Sequence, residues 1–483
     1  MPDATDTARD ALVPLAVDLD GTLIRTDMVW ESLVRFLRQN PFALPVVLGW
    51  WLRGRAFLKQ QLAARVRIDP ATLPYNQPFL LWLKEQKRAG RKLLLATASD
   101  AAMAKPIAAH VGVFDDVLAS NGTINLRDQA KLTALTARFG ERGFDYAGNS
   151  APDLDVWKGA RQAVVVNASD GLSKRASAIT SLGPIFPTQA SPLLAWLRCV
   201  RPHQWIKNLI VFVPAIAAHQ LGEANILATA TRAFVAFCLA ASAGYLVNDL
   251  LDLEADRQHA TKRNRPFASG QLPLPAALFG APVLLAAALG ISFPLSTAFA
   301  GVIALYFFST VVYSWRFKQF ALFDVFVLAA LYTMRLVAGH VATGVRWSAW
   351  LLVFSMFVFL SLALMKRFQE LHAVRQQNRQ AVQGRGYTAA DLELVATFGL
   401  VSGCIAVLVL ALYVNSEQVV KLYAHPTLLL LVCPLLLYWI ARVWFLAHRG
   451  QMHDDPVAFA FKDWVSYAIG ALTLAVMWLA TGR

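Results

Sequence analysis

The sequence predicts two joined parts: an α/β domain built on a parallel sheet over residues 1–187, then an all-α transmembrane bundle of about nine helices over residues 188–483. Three observations carry this. Hydrophobic residues make up 57% of the chain and charged residues only 16%, against roughly 25% charge in soluble globular proteins, and mean hydropathy is +0.46. The apolar residues are also unevenly placed: short runs alternate with helical patterns in the first part, and long uninterrupted segments fill the second. Finally, basic residues fall on one side of the long segments, as membrane orientation demands. Whole-chain disorder, a coiled coil and an ordinary cytosolic enzyme are excluded by this composition.

In chain order, the N-terminal stretch lacks a basic region followed by an apolar core. A secretory signal is therefore not expected, and the first domain is expected in the cytoplasm. Apolar runs at Leu15–Val17, Lys92–Ala96 and Ala163–Val166 read as strands of a parallel sheet covered by helices. The Pro-rich stretch around Pro184, Pro187 and Pro192 reads as a linker. Spans are expected near 205–219, 227–247, 276–293, 298–315, 323–342, 348–365, 394–414, 426–441 and 464–480. With a cytoplasmic N-terminus, fourteen Lys and Arg fall in inside loops, Arg379 among them. Three, Arg346, Lys421 and Arg483, fall outside. That asymmetry supports an odd number of spans in an inner, cytoplasmic-type membrane. The net charge of +14 then points to anionic lipids and phosphorylated substrates, not to nucleic acid. The four cysteines (Cys199, Cys238, Cys404, Cys433) show no CxxC spacing, and the nine histidines no HExxH or HxxxH spacing, so neither a disulfide framework nor a zinc site is indicated.

Leu15-Ala16-Val17 runs directly into Asp18-Leu19-Asp20-Gly21-Thr22. A buried strand ending in two carboxylates, with a glycine for the sharp turn, makes a nucleophile platform. Asp18 can attack phosphorus to form an aspartyl phosphate, and Asp20 can protonate the leaving oxygen and then activate water. Two adjacent carboxylates and a phosphate call for a divalent cation, normally Mg²⁺. This strand and motif resemble those of the haloacid dehalogenase-like phosphatases over residues 12–170, which implies a Rossmann-like fold. The resemblance implies a phosphate-binding role for Thr97, at the end of Leu93–Ala96, and for Lys131. It aligns Gly148-Asn149-Ser150-Ala151-Pro152-Asp153 with the family's acidic fourth motif, with Asn149 where aspartate is usual and Asp153 or Asp155 left as the acidic metal ligand. The helical insert between Asp20 and Thr97 resembles a cap. Its stretch PFALPVVLGWWLRG reads either as cap core or as an interfacial patch touching the membrane.

At the end of the second expected span stands Asn248-Asp249-Leu250-Leu251-Asp252-Leu253-Glu254-Ala255-Asp256. On a continuous helix, Asp249, Asp252 and Asp256 would share one face. Three carboxylates near lipid are costly unless a cation neutralises them, so they read as ligands for Mg²⁺ bridging to a diphosphate. Lys262-Arg263-Asn264-Arg265-Pro266 follows, suited to phosphate oxygens.

NDxxDxxxD among apolar spans resembles the UbiA superfamily of intramembrane prenyltransferases, over roughly residues 195–483. The second acidic motif usual in that superfamily is absent after Asp256, where Tyr313-Ser314-Trp315-Arg316-Phe317-Lys318, Asp324 and Tyr332-Thr333-Met334-Arg335 stand instead. Before the first span, Arg201-Pro202-His203-Gln204-Trp205-Ile206-Lys207-Asn208 resembles the decaprenyl-phosphate phosphoribosyltransferase branch. That resemblance implies phosphoribosyl diphosphate as donor and a polyprenyl phosphate as acceptor. Candidate substrate contacts are Arg201, Gln204, Lys207 and Asn208, together with Asn248, Arg263, Arg265, Tyr313, Lys318, Arg335, Lys366 and Arg367. The fused phosphatase-like domain would then remove the 5-phosphate. The competing reading is a prenyltransferase with an aromatic acceptor and a regulatory or inactive phosphatase-like domain.

Overall fold

The computed structural model describes residues 13–121, 125–188, 191–377, 385–452 and 455–482; the N-terminal twelve residues, Arg379 and Arg483 lie outside them. The chain forms two compact units. One comprises residues up to Cys199 with Asp249–Phe279, the other Val200–Asn248 with Gly280–Arg483. The first unit thus runs past residue 187 and takes in the segment carrying most of the second acidic motif.

The first unit is built on six parallel strands: β1 (Leu15–Val17), β2 (Leu93–Asp100), β3 (Asp116–Ser120), β4 (Asp145–Gly148), β5 (Gln162–Ala168) and β6 (Ser181–Pro187), in spatial order β3-β2-β1-β4-β5-β6. Leu15 pairs with Leu93 on one side and with Asp145 on the other. Strand residues alternate between two buried layers, Leu15 and Val17 in one, Ala16, Leu94 and Tyr146 in the other. Burial on both faces is why the strands read as apolar runs. The order reverses at β1, so the crevice beyond its C-terminal end is the natural ligand site of such a sheet. The first half of the stretch read as a linker is in fact the end of β6, paired to β5 from Gln162↔Ser181 to Ala168↔Pro187, and Pro192 opens a helix, Pro192–Val200. Proline cannot donate to a ladder, so Pro184 and Pro187 are tolerated because β6 is an edge strand.

The insert after β1 folds into α1 (Met28–Gln39), α2 (Leu44–Leu52) and α3 (Arg55–Arg65). Asp27 caps α1 by accepting from the backbone N–H of Val29 and Trp30. Leu33, Phe36, Val47, Leu58, Leu62 and Val66 form the core between the three helices.

Among the described residues, seven helices are long and apolar enough to cross a membrane. They are α4 (Ala224–Leu251), then, after the short α5 (Leu253–Gln258), α6 (Leu274–Ser292), α7 (Thr297–Trp315), α8 (Phe323–Thr343), α9 (Ala349–Gln376), α10 (Leu392–Val414), which with the 3₁₀ turn before it spans Ala389–Val414, and α11 (Val432–His448), which with the 3₁₀ turns before it spans Pro426–His448. The last expected span is α12 (Trp464–Ala480), 17 residues long. The first expected span is no single helix: Pro202–Phe212 is a 3₁₀ segment and Val213–Ala217 one helical turn. Pro202 and Pro214 each sit at the start of a piece, where a missing N–H costs nothing, and neither fits a helix interior.

Helices α9, α10 and α11 meet at Gly399. A Cβ there would overlap the Trp444 ring, whose indole N–H donates to Ser361 Oγ at 3.1 Å, while Ser361 donates to the Gly399 carbonyl at 2.7 Å. Gly399→Val should therefore overpack this junction by about 1–3 kcal/mol, lowering the thermal midpoint of the detergent-solubilised protein by several degrees. Gly290→Ala, with nothing within 4 Å of the added Cβ, should leave the midpoint unchanged. Equal midpoints for the two variants would contradict the packing described.

Candidate functional site

In the first unit, β1 delivers Asp18 to the sheet's switch point, and Gly21, at φ +75°, turns the chain back. A side chain at Gly21 would meet Asn149. Lys131 Nζ donates to Asp18 Oδ1 at 2.8 Å and to Tyr146 Oη at 2.8 Å; Tyr146 in turn donates to Asp153 Oδ1 at 2.8 Å. The other Asp153 oxygen accepts from the Asn149 and Ser150 backbone N–H groups and from the Ser150 hydroxyl. Asp20 accepts from Ser99 Oγ at 2.6 Å and from the Met28 N–H at 2.9 Å. Thr97 is fully buried, and its hydroxyl oxygen accepts from the Ser99 N–H.

Burial pushes Asp18 up to about 6 in spite of Lys131. Burial, with the charges of Asp27 and Asp18, pushes Asp20 up to about 7. Burial opposes the charge on Lys131, but Asp18 and Asp153 outweigh it and raise its pKa. Two carboxyls held high by desolvation are donors that suit a hard divalent cation, and the Asn149 side chain lies against the turn that follows them, its carbonyl oxygen accepting from Thr22 Oγ1 at 3.4 Å. Asp153 reaches the cleft through Tyr146 and Lys131. Among the described residues, no three His, Cys, Asp or Glu side chains gather closely enough to hold a metal alone, so amide and phosphate oxygens would have to complete the shell.

The same unit carries the second acidic motif. Helix α4 ends at Leu251, and Asp252 caps α5 with φ −94° and ψ 4°. The three carboxylates therefore do not share the face of one continuous helix, as their spacing implied. Asp249 and Asp256 are instead brought together by Arg265, whose Nη1 lies 3.3 Å from the first and 2.6 Å from the second. Burial raises the Asp256 pKa, against the pull of Arg265. The pair thus already shares one cation, which is chemistry that suits Mg²⁺. Arg257, next to Asp256, pairs with Glu31 of α1 at 2.6 Å with both side chains buried, and its Nε donates to the Ala268 carbonyl at 3.0 Å. Glu31 also accepts from Thr26 Oγ1 at 2.7 Å, and the Thr26 carbonyl accepts from the Gly21 N–H at 3.0 Å. Arg35 pairs with Glu254 nearby. A chain of bonds thus runs from the Asp18–Gly21 turn to the segment bearing Asp256.

In the second unit the 3₁₀ segment Pro202–Phe212 buries Lys207 and Asn208. Asp455 bridges Lys207 at 2.9 Å and Lys366 at 3.0 Å. Burial favours its neutral form, but the two ammonium groups hold it well below the usual carboxylate range. Arg335 Nε donates to Asn208 Oδ1 at 2.9 Å and Nη2 to Tyr306 Oη at 3.1 Å, with the guanidinium about 5 Å from the rings of Phe237, Tyr306 and Tyr332. Arg367 is spent differently: it pairs with Asp324 at 2.9 Å and with Glu370, and Tyr387 donates to Asp324 at 2.6 Å.

The structure thus gathers Lys207, Asn208, Arg335 and Lys366, and in the other unit Asp249, Asp256 and Arg265. Asn248 is half-buried on α4, and Gln204 half-buried beside Trp205. Arg201 stands over Tyr245 at 5.0 Å, Tyr313 accepts from Arg385 at 3.4 Å, Lys318 lies in the turn after α7, and Arg263 is exposed. Sequence reasoning missed Ser99, Tyr146, Asp455 and Glu31. Their signal lies in pairing across long sequence separations, which no local motif displays.

The UbiA prenyltransferase family matches residues 208–481. An uncharacterized protein of Sinorhizobium fredii, y4nM, is 39% identical over 476 residues, 98% of this chain and 92% of that one. The decaprenyl-phosphate phosphoribosyltransferase of Mycolicibacterium smegmatis is 38% identical over 206 residues, 42% of this chain and 65% of that protein. Among solved structures, a UbiA homolog from Archaeoglobus fulgidus bound to GPP and Mg²⁺ aligns at 16% identity and a TM-score of 0.45, covering 58% of this chain and 99% of that one. By that match over residues 208–481, more than half of its length, the chain belongs to the UbiA prenyltransferase family.

Proposed function

We propose that the chain transfers 5-phosphoribose from phosphoribosyl diphosphate to a polyprenyl phosphate, and that its N-terminal domain then removes the 5-phosphate from the lipid product. The observation that carries the transferase half is the use made of RPHQWIKN. Its Lys207 and Asn208 are buried and wired to Lys366 and Arg335 through Asp455 and a direct hydrogen bond. A motif that serves to assemble cations inside an apolar bundle suits substrates rich in phosphate. The likeness to the M. smegmatis phosphoribosyltransferase supports the same donor and acceptor.

In the transfer, a phosphate oxygen of the lipid attacks ribose C1 and the C1–O bond to diphosphate breaks. The acceptor is already anionic, so no strong base is needed, and catalysis is positioning plus stabilisation of an oxocarbenium-like transition state. Asp249, Asp252 and Asp256 would hold Mg²⁺, which when bound supplies charge neutralisation for the leaving diphosphate. Arg263 and Arg265 offer donors to its oxygens, and Lys207, Arg335 and Lys366 offer charge to the acceptor phosphate. The reaction is proposed to face the cytoplasm.

In the hydrolysis, an Asp18 oxygen attacks the 5-phosphate, the bond to the ribose oxygen breaks, and Asp20 gives its proton to that oxygen. Water then attacks the aspartyl phosphate, returns a proton to Asp20, and inorganic phosphate leaves. A carboxyl held near pH 7 by burial is poised for that exchange. Lys131 and Thr97 would hold the phosphoryl group and Asp18 and Asp20 would hold Mg²⁺, while Asp153, both of whose oxygens are already bonded, acts at the cleft through Tyr146 and Lys131 in place of the direct metal contact its position in the motif implied.

Asp249→Ala and Asp252→Ala should each cut pentosyl transfer by at least about a hundredfold with the fold retained, as checked by labelled product formation and a melting curve. Near-wild-type transfer in both would remove the diphosphate role of the motif. Asp18→Asn should leave transfer intact and make the phosphorylated pentosyl lipid accumulate, since an amide is a poor nucleophile. Identical lipid products and no phosphate release from either wild type or variant would show that the N-terminal domain does not act in this sequence.

A further inference from the structure

Helix α2 is unlike the other helices of the first unit. Its nine residues, LPVVLGWWL, include no charged or hydrogen-bonding side chain except the two indoles, and only Val47 is buried. Phe42 just before it is 87% exposed, and Leu44, Val46, Leu48, Trp51 and Leu52 are all exposed on its surface. An apolar surface of this kind, left open to water, marks an interaction site. Its surroundings state the partner. From Ser32 to Ile68 the chain carries seven Lys or Arg and no Asp or Glu, and Arg65 stands over Trp50 at 5.0 Å and Arg53 over Phe57 at 5.4 Å. Arg35 and Arg38 pair with Glu254, which leaves five basic residues beside α2, and aromatic and aliphatic groups with such a net basic margin are the composition of an interfacial membrane helix. The bilayer is also at hand. Leu278 packs on the α1–α3 core that holds Val47, and Phe279 meets Trp30 edge-on at 6.4 Å. Both belong to α6, one of the seven helices able to cross a membrane.

We propose that α2 with Phe42 lies in the interface of an anionic bilayer, anchoring the cap of the N-terminal domain to the lipid surface. Resting on the phosphatase reading above, this also assigns the class of substrate: the cleft takes a phosphomonoester carried by a lipid, presented at the surface on which the cap rests, in preference to a soluble one. The stretch that the sequence left open between cap core and membrane patch is used both ways, Val47 inward and its neighbours outward.

The test uses the full-length chain with Cys404 and Cys433 replaced by serine, reconstituted in nanodiscs of phosphatidylcholine with and without phosphatidylglycerol. A nitroxide at Leu48→Cys, and separately at Leu52→Cys, is read for collisions with oxygen and with a polar nickel chelate; Glu141→Cys is the exposed control. Interfacial placement predicts oxygen-rich, nickel-poor collisions at both cap positions, deepening with phosphatidylglycerol, and the reverse at Glu141. Water-like collisions at Leu48 and Leu52 would overturn it. So would shielding from both reagents, the result expected if protein or a second copy covers α2. The substrate class is tested with Leu48→Asp/Trp51→Asp. Hydrolysis of a lipid phosphomonoester in vesicles should fall about tenfold, while that of p-nitrophenyl phosphate should not change. Equal loss on both substrates, or on neither, would overturn the substrate assignment. A wild-type protein inert on both would sink the phosphatase reading, and with it this substrate class, whereas the collision data would still decide where α2 lies.

Discussion

The buried ion pair between Glu31 and Arg257 is the contact on which the arrangement of the first unit turns. Each side chain is about 95% shielded from solvent, so either charge alone would be untenable, and removing one partner of such a pair costs about 3–5 kcal/mol. Its position matters more than its energy. Glu31 stands on the cap helix that follows the DxDGT turn, and Arg257 adjoins Asp256. Thr26, Glu31, Arg257 and the Ala268 carbonyl form one connected path. The segment bearing the second acidic motif therefore takes its shape from the N-terminal domain and not from the spacing of its own aspartates. Arg265, pairing Asp249 with Asp256, completes that shape.

A second constraint rules the bundle. Phosphate chemistry needs cations, and apolar helices penalise every one of them. Arg335 meets this cost with an amide oxygen, the Leu331 carbonyl, a phenol and three aromatic faces in place of a carboxylate. Arg367 is held between two carboxylates, Asp324 and Glu370, which it shares with Arg385. The contrast separates a guanidinium with no carboxylate among its described partners, the one proposed to meet an anionic substrate, from one held between two carboxylates, a distinction that the sequence, which grouped both as substrate contacts, does not make.

The strand at Leu15–Val17, the DxDGT turn and most of the apolar spans were legible because each is a local pattern: a short apolar run, a fixed spacing, a long hydrophobic segment. The exceptions have identifiable causes. Prolines around 184–187 read as a linker because edge-strand pairing is invisible without the neighbouring strand. The break between Leu251 and Asp252 was hidden because a helical period predicts a shared face only while the helix continues. Pro214 lies inside the expected span 205–219 and Pro202 just before it, and the apolar run between them hid the break each proline makes. Asp455 could not be found from spacing at all, since it bridges Lys207 and Lys366 across hundreds of positions in one case and 89 in the other.

A chain that makes a pentosyl lipid and then strips its phosphate, as proposed, passes through two lipid products in a fixed order. Intact-lipid mass spectrometry over a single reaction tests it most directly. The reaction holds wild-type protein in detergent, Mg²⁺, phosphoribosyl diphosphate and a polyprenyl phosphate. A phosphoribosyl lipid should rise and decay into a ribosyl lipid lighter by one phosphate group, with diphosphate released first and inorganic phosphate after. Absence of any pentosyl lipid, alongside prenylation of an aromatic acceptor by the same preparation when given a prenyl diphosphate, would contradict it.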